Sequence, residues 1–451
     1  MGVGLSGGFK SLWVMAQNFL SCDRDQVLLL PVDLAEWLPA DHLARFVIET
    51  VGELDLSGVY GYYRQDGRGH PAHDPAMMVA LVLYATAIGV RSCRQIERRC
   101  VEDIAFRVIT ANRQPDHATI ARFQIRHRDA LSELFFEVLA LCRQAGMVSV
   151  GTVAVDSTKL AANASSGQNR SFEGLRLEAA RWIDEAIEIN RREDELYGDK
   201  RGDELPEELA DPRTRKARIK ELLAQARRDR EQVEAEEAAV AARREEKLAR
   251  TGTGLRGRPR KNPQANTRQQ IKLAKKYNLT DPDSTVVRHR GMLMQGYGIQ
   301  TAVNDRQVIL AAVVGGGIDQ GQLAGIVAQA ERTLERLDVS EPIGEVLADA
   351  GYWSTRQIEQ IEQTGTRVLI PPRRPDKNTV AQRLRAELST DEGKQAYRRR
   401  QQLVEPVFAH WKHIRGITRV LRRGRTAVQA EIDLIATTHN LLKLRSTLAA
   451  A

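Results

Sequence analysis

Residues 152–156 have the sequence TVAVD, and this short β-branched stretch indicates a buried strand. Residues 344–348, GEVLA, indicate a second buried strand that Asp349 follows directly. In α/β sheets, ligands and catalytic groups collect where strands end, and here Asp156 and Asp349 occupy those positions. Either aspartate alone is more simply explained as a turn or cap residue. The two together predict a site with paired carboxylates.

The segments around these strands alternate between strand and helix. A hairpin is predicted over residues 296–303 and 307–314, with Asn304 and Asp305 at its turn. Helices are predicted over residues 320–337, 354–363 and 395–413, and a further strand over residues 367–370. This alternation predicts a mixed α/β domain with a helical insertion after its first strand.

The N-terminal part of the chain, residues 30–150, has a helical pattern. Asp74 followed by Pro75 is typical of a helix start and predicts a helix through residue 88. Asp116 caps a later helix that carries Arg122 and Arg126. Helix, turn and basic helix is the order of a DNA-reading unit. A plain helical bundle with a solvated basic face explains the same pattern equally well.

The composition favours an anionic partner. The 451 residues carry a net charge of +8, and nucleic acid is the commonest large anion. The positive charge is concentrated in residues 366–425, which contain 16 lysines and arginines but 5 aspartates and glutamates. The 4 cysteines form no CxxC pair, which indicates free thiols in a reducing cytoplasm rather than a zinc site. No apolar run reaches the roughly 20 residues that span a membrane, so no membrane partner is expected.

Three sequence blocks resemble a known family. They are VDSTKLAANAS at residues 155–165, LADAGY at residues 347–352 and YRRRQQLVEPVFAHWK at residues 397–412. All three are similar to motifs of bacterial insertion-sequence transposases of the DDE class, and the resemblance extends from about residue 30 to residue 444. The third block resembles their tyrosine–arginine–glutamate–lysine signature, whose matching positions are Tyr397, Arg400, Glu405 and Lys412.

Two details of the third block depart from that signature. Four residues separate the arginine from the glutamate where the signature has three, which leaves Arg399 as the alternative to Arg400. Pro406 follows Glu405 directly and disfavours a regular helix there, so a kink or a new helix start is expected.

The resemblance implies a fold and a domain organisation. The catalytic domain, at residues 151–170 and 276–451, is expected to be RNase H-like, which means an α/β sheet domain. Residues 30–150 are expected to form an all-α DNA-binding domain, and residues 1–29 a leader. Residues 171–275 would form a charged helical insertion and a basic linker. Within the insertion a solvated helix pair is favoured over a coiled coil, because its apolar positions are few.

The resemblance also implies an activity. Asp156, Asp349 and Glu405 would hold two Mg²⁺ ions, or Mn²⁺ in their place, for the cleavage and transfer of DNA strands. Lys412 and Arg400 would grip phosphates, and Tyr397 would contact a displaced base. The partners would be the terminal inverted repeats of the element and its target DNA, bound by a homodimer in the bacterial nucleoid.

Three further interpretations stay open at this stage. Arg256 and Arg258 lie in the sequence RGRP, which resembles the core of an AT-hook, a segment that binds the minor groove; a flexible basic linker is the simpler alternative. The carboxylates equally suit an RNase H-like nuclease that cuts without joining. A transposase-derived repressor without catalysis is the alternative outside the enzymes.

Overall fold

A computed structural model describes residues 34–63, 72–181, 215–251, 276–289, 291–372 and 378–450. Over these residues the chain is a mixed α/β protein with a helical N-terminal region. The predicted leader, residues 1–29, and the predicted AT-hook arginines, Arg256 and Arg258, lie outside the described residues.

The N-terminal region is helical, as predicted. Asp74 accepts a hydrogen bond from the Ala76 amide at 3.2 Å and caps the apolar helix α3, in which Pro75 is the first residue. Asp116 caps α6 in the same way, accepting from the Thr119 amide at 2.6 Å. The helices are α1 (Leu43–Glu53), α2 (Ser57–Tyr60), α3 (Pro75–Ala87), α4 (Cys93–Glu102), α5 (Ile104–Ile109), α6 (His117–Arg126) and α7 (Arg128–Gln144).

The strands form a six-stranded mixed sheet and a separate two-stranded one. In the large sheet the order is β4-β5-β1-β7-β8, and β6 pairs with the other half of β5. β5 runs antiparallel to β1, whereas β7 and β8 run parallel to it. The strands are β1 (Thr152–Ala161), β2 (Asn169–Ser171), β3 (Lys276–Asn278), β4 (Thr285–His289), β5 (Met292–Asn304), β6 (Ile309–Gly315), β7 (Glu345–Ala348) and β8 (Arg367–Leu369).

The first strand is longer than predicted, and Asp156 lies in its middle rather than at its end. The strand continues to Ala161 because its second half pairs with β5, from Ser157 opposite Gln300 to Ala161 opposite Gly296. Cross-strand pairing of this kind is not visible in the local sequence. The predicted hairpin is confirmed as β5 and β6, but β5 begins at Met292, earlier than predicted.

The helices of the α/β region pack on the sheet. The predicted helices after β6 and β7 are confirmed, and the predicted 395–413 helix begins earlier, where Thr390 accepts a hydrogen bond from the Gly393 amide at 3.0 Å. A π-helix follows at His410–Ile414. The helices are α8 (described over residues 172–181), α9 (Arg215–Thr251), α10 (Leu323–Arg336), α11 (Thr355–Glu362), α12 (Thr379–Ser389), α13 (Asp391–Ala409) and α14 (Arg425–Leu448).

The insertion has a small apolar core of its own. Leu175 on α8, Ile219 and Leu222 on α9, and Tyr277 on β3 are buried against one another. The helices are therefore not a purely solvated pair, because a few apolar residues of each helix meet the second sheet. Residues 182–214 and 252–275 of the insertion lie outside the described part.

The C-terminal helix α14 joins the N-terminal helices to the sheet. Its side-chain amides bind the backbone of the edge strand β6: Asn440 accepts from the Ile309 amide and donates to the Ile309 carbonyl, both at 2.9 Å. Gln429 donates to the Ala312 carbonyl at 2.8 Å. These bonds satisfy edge groups that would otherwise lack partners. One apolar core includes residues of α3, α7, α14 and the sheet.

Pro406 does not break α13, contrary to the expected kink or new start. A proline inside a helix leaves the carbonyl four residues earlier without its usual donor. That carbonyl belongs to Gln402, and it accepts a hydrogen bond from the Gln307 side chain at 2.9 Å. A residue of the β5–β6 turn thus replaces the missing backbone donor.

Gly89 makes a close contact at the junction of the helical region with the rest of the chain. Its φ is +83°, and a Cβ at this position would lie 2.2 Å from the Arg415 carbonyl oxygen. Arg415 is buried, and its guanidinium donates to the Thr86 carbonyl at 2.8 Å and to the Ile435 carbonyl at 3.3 Å. The end of α3, the segment after the π-helix and α14 meet at this point.

We expect Gly89→Ala to destabilise the protein much more than Gly146→Ala. Both glycines have positive φ, at +83° and +68°, but no atom lies within 4 Å of a Cβ at Gly146. Gly146→Ala should cost about 1–2 kcal/mol of unfolding free energy for the backbone alone. Gly89→Ala adds a clash worth about 1–3 kcal/mol. Urea unfolding of both variants measures the difference, and equal losses would contradict the close packing at Gly89.

Candidate active site

Asp156 and Asp349 lie side by side although they are distant in sequence. β1 and β7 are parallel neighbours, and Val155 is in register with Ala348, so the next residue on each strand is an aspartate. Asp349 ends β7 as predicted and caps a short 3-10 turn, accepting from the Gly351 amide at 2.7 Å. The pairing of parallel strands therefore creates the predicted pair of carboxylates.

Asp156 is largely buried and forms an ion pair. Its Oδ2 accepts a hydrogen bond from Arg400 Nη1 at 2.7 Å, and its Oδ1 accepts one from the Ser157 amide at 2.7 Å. The side chains are 22% and 11% exposed for Asp156 and Arg400. Burial raises the pKa of Asp156 and the charge of Asp349 adds to this, while the Ser157 amide and Arg400 oppose it. Negative charge at this position is thus only partly compensated.

Tyr397 and Arg400 lie on the face of α13 that meets the two aspartates. The Arg400 guanidinium is 5.8 Å from the centre of the Tyr397 ring. Burial raises the pKa of Tyr397, Arg400 opposes this, and the charges of Asp349 and Asp156 raise the pKa further. Arg399 is exposed. Of the two arginines left open by the sequence, Arg400 is therefore the one at the site.

Glu405 is not brought to the two aspartates. It follows Arg400 by five residues, which is about 140° around a regular helix, and its side chain is exposed. Within the described residues, no three His, Cys, Asp or Glu side chains form a group that could hold a metal ion. Lys412, seven residues after Glu405, is partly buried within the π-helix, so the two side chains are not separated by two regular α-helical turns.

A polar network on the neighbouring face of β1 was not predicted from the sequence. Lys159 donates to Asp319 and to the Ser157 hydroxyl, both at 2.9 Å. Gln300 donates to Asp319 at 3.0 Å and accepts from the hydroxyl of the fully buried Tyr352. Although burial opposes it, hydrogen bonds from Ser157, Lys159 and Gln300 hold the pKa of Asp319 below its usual value. The network ties β1, β5 and the turn after Asp349 together.

Part of this network had a signal in the sequence. Lys159 follows Ser157 by two residues, so strand periodicity places both on one face of β1. No sequence signal pointed to the contact between Lys159 and Asp319, because Asp319 lies far along the chain, in the loop after β6.

The predicted DNA-binding arginines of the helical region are exposed on α6. Arg122 is exposed, and Arg126 lies 4.9 Å above the Tyr62 ring. The short helix α5 separates α4 from α6, so the unit has one more helix than the predicted helix, turn and helix. Gln124 of α6 accepts a hydrogen bond from Arg422 at 2.8 Å, which links α6 to the C-terminal part.

The basic segment 366–425 is not entirely a surface strip. Arg415 is buried, Arg400 pairs with Asp156, and Arg367 pairs with Glu345 and Glu387. The surface charge available to an anionic partner is therefore smaller than the sequence count.

Paired carboxylates on an α/β sheet are typical of enzymes that cut phosphodiesters with divalent metal ions. Comparison with known families agrees with this class. The model described as transposase domain (DUF772) matches residues 32–126, and the model described as transposase DDE domain matches residues 360–445. Together the two matches support an insertion-sequence DDE transposase.

The DDE match includes the block from Tyr397 to Lys412, but it begins after Asp156 and Asp349. DDE transposases act on DNA and typically use a divalent metal. Searches of curated proteins and of solved structures each gave no match. None of the helices in the described ranges is long and apolar enough to cross a membrane.

We expect Arg400→Met to destabilise the protein and Arg399→Met to leave it nearly unchanged. Removing Arg400 leaves the buried Asp156 carboxylate without its cation, which costs about 3–5 kcal/mol for a fully buried pair. Replacing an exposed arginine changes stability by about 0.5 kcal/mol or less. Thermal unfolding in metal-free buffer compares the two, and equal midpoints would show that the Asp156–Arg400 pair carries no stabilising role.

The Lys159–Asp319 pair should behave as a coupled unit. We expect Lys159→Met and Asp319→Asn each to lower the unfolding free energy by about 2 kcal/mol, and the double variant to lose less than their sum. Glu133→Gln, which removes an exposed pair with Arg336, is the control and should change little. Additive losses in urea unfolding would mean that the two side chains do not depend on each other.

Proposed function

We propose that this chain binds the ends of its own mobile element, cleaves DNA there and transfers the freed strands to target DNA. The observation that carries the proposal is the adjacent pair Asp156 and Asp349 beneath Tyr397 and Arg400 of α13. The central strand β1 has the antiparallel strand β5 on one side and the parallel strand β7 on the other, which supports an RNase H-like catalytic domain.

The two aspartates fit a divalent metal. Their oxygens are hard ligands of the kind that Mg²⁺ prefers, and Mg²⁺ commonly uses only one or two protein carboxylates. The raised pKa of Asp156, caused by burial and then by Asp349, indicates negative charge that a further cation would relieve. Two Mg²⁺ ions, or Mn²⁺, would be held by Asp156 and Asp349, with Glu405 as third ligand. When bound, the ions stabilise the attacking and leaving oxygens of a phosphodiester.

Arg400 would change partners during the reaction. In the structure its guanidinium occupies one oxygen of Asp156. A guanidinium binds phosphate as readily as carboxylate, so a DNA phosphate would draw Arg400 away and leave Asp156 available. Tyr397 beside it would contact a displaced base, and Lys412 a phosphate. Glu405 would approach the aspartates only if α13 shifts as Arg400 moves.

DNA would also be bound outside the catalytic centre. Arg122 and Arg126 of α6 are exposed and suit phosphate contacts along the terminal inverted repeat. Arg256 and Arg258 would bind the minor groove as part of an AT-hook, as the sequence RGRP suggests. Two ends must be processed together, which favours a homodimer on the DNA.

We expect the purified protein to cut the gene's own flanking DNA in Mg²⁺ at defined positions and to leave 3′-hydroxyl ends. Asp156→Asn, Asp349→Asn and Glu405→Gln should each reduce cleavage by at least about 100-fold while DNA binding persists. Glu359→Gln, on the exposed side of α11, is the control and should cut normally.

Each other outcome has a distinct meaning. Normal cutting by Glu405→Gln alone would remove Glu405 from the site and leave the two aspartates in place. Cutting without joining would indicate a nuclease. Binding without any cutting by the wild type would indicate a repressor and overturn the proposed activity.

A further inference from the structure

The outer part of the β4–β5 hairpin extends beyond the large sheet. Arg288 pairs with Leu293 and His289 with Met292 across the hairpin, beyond the point where β5 last pairs with β1, at Gly296 opposite Ala161. Gly291, with a φ of +82°, lies in the turn. This part of the hairpin is a two-stranded ribbon without a further strand from the main sheet.

The end of this ribbon is apolar and exposed. Met292 is 72% exposed and Leu293 is 65% exposed. Consecutive residues of a strand point to opposite faces, so one apolar side chain projects from each face of the ribbon. Two large adjacent apolar residues at a projecting end have no role in the folded core, which points to a partner.

The surroundings of the ribbon are basic. Residues 284–304 contain no aspartate or glutamate, and Arg288 is exposed beside Leu293. At the base of the hairpin the loop after the π-helix carries the exposed side chains of Arg419, Arg423 and Arg425. The end of this loop and the start of α14 are fixed to the segment before β4 by carboxylates, since Asp281 accepts from the Gly424 amide at 3.1 Å and Asp283 accepts from the Arg425 amide at 2.7 Å.

The positive charge of the ribbon and of the loop at its base favours an anionic partner. A symmetric contact with a second copy would bring the same basic surface together twice, which is unfavourable. A nucleic acid satisfies both features, because phosphates pair with arginines and apolar side chains such as Met and Leu can insert between bases.

The ribbon projects toward the edge of the sheet that carries the aspartates. β5 runs antiparallel to β1, so going from Thr301, opposite Asp156, back to Met292 leads past the end of β1. The nine residue steps from Thr301 to Met292 span about 30 Å at about 3.3 Å per residue. That length corresponds to about nine base pairs of B-form DNA.

We propose that the ribbon tip, defined as Arg288, Met292 and Leu293, binds the DNA of the element end about nine base pairs from the cleaved phosphodiester, with the end of the ribbon in a groove. This inference rests on the proposed function. It adds a DNA contact outside the catalytic centre and fixes its distance from the cut.

The test uses the full-length protein, duplexes of the gene's own ends and an unrelated duplex of equal length. Met292→Ser/Leu293→Ser should weaken end binding about 10-fold and remove hydroxyl-radical protection about nine base pairs from the cut. Arg288→Ala should lower the slope of log affinity against log salt by about 1. Leu448→Ser, which replaces another exposed apolar residue at the far end of α14, is the control and should change neither.

Unchanged affinity and protection in the double variant would overturn the proposal while leaving the proposed function intact. Loss of a dimer on light scattering, with unchanged binding per protomer, would assign the tip to a protein contact and also overturn it. Failure of the wild type to bind either duplex would overturn the proposed function together with this inference.

Discussion

The parallel pairing of β1 with β7 is the constraint on which the candidate site depends. It fixes Val155 against Ala348, so that two aspartates almost two hundred residues apart in the chain become neighbours. Neighbouring carboxylates in a partly buried position repel each other and lose hydration, which raises the pKa of Asp156. Arg400 and the backbone amides of Ser157 and Gly351 donate hydrogen bonds that compensate the negative charge of the two aspartates.

The negative charge of the carboxylates is compensated in different ways on the two faces of β1. On the side of α13, a single arginine pairs with Asp156, and Arg400 can leave for another anion. On the other side, Lys159 and Asp319 neutralise each other inside a network that ends at the buried Tyr352 hydroxyl. The Lys159–Asp319 pair is thus held within several mutual bonds, whereas the two aspartates have one ion pair, from Arg400, and one amide bond each, from Ser157 and Gly351.

The sequence predicted much of the fold and part of the site. Local patterns sufficed for α3, α6, the β5–β6 hairpin and the strand before Asp349, because caps, prolines and β-branched runs act over a few residues. The full length of β1 and the continuity of α13 through Pro406 depended on distant partners, β5 and Gln307. No local pattern contains that information, and the same holds for Asp319.

The resemblance to transposases pointed to Arg400 and Tyr397 as DNA contacts, and the structure places both of them beside the aspartates, while Glu405 remains apart from them. A regular helix cannot present positions 400 and 405 on one face, so this separation follows from helix geometry.

Asp156 and Asp349 are proposed to form a cation site, and Arg400 competes with the cation for Asp156. Calorimetric titration of the DNA-free protein with Mn²⁺ tests this proposal directly, with wild type, Asp156→Asn and Arg400→Met compared. We expect the wild type to bind Mn²⁺ weakly, Arg400→Met to bind it more tightly because Arg400 no longer occupies Asp156, and Asp156→Asn not to bind it. Equal Mn²⁺ affinity in all three proteins would contradict it.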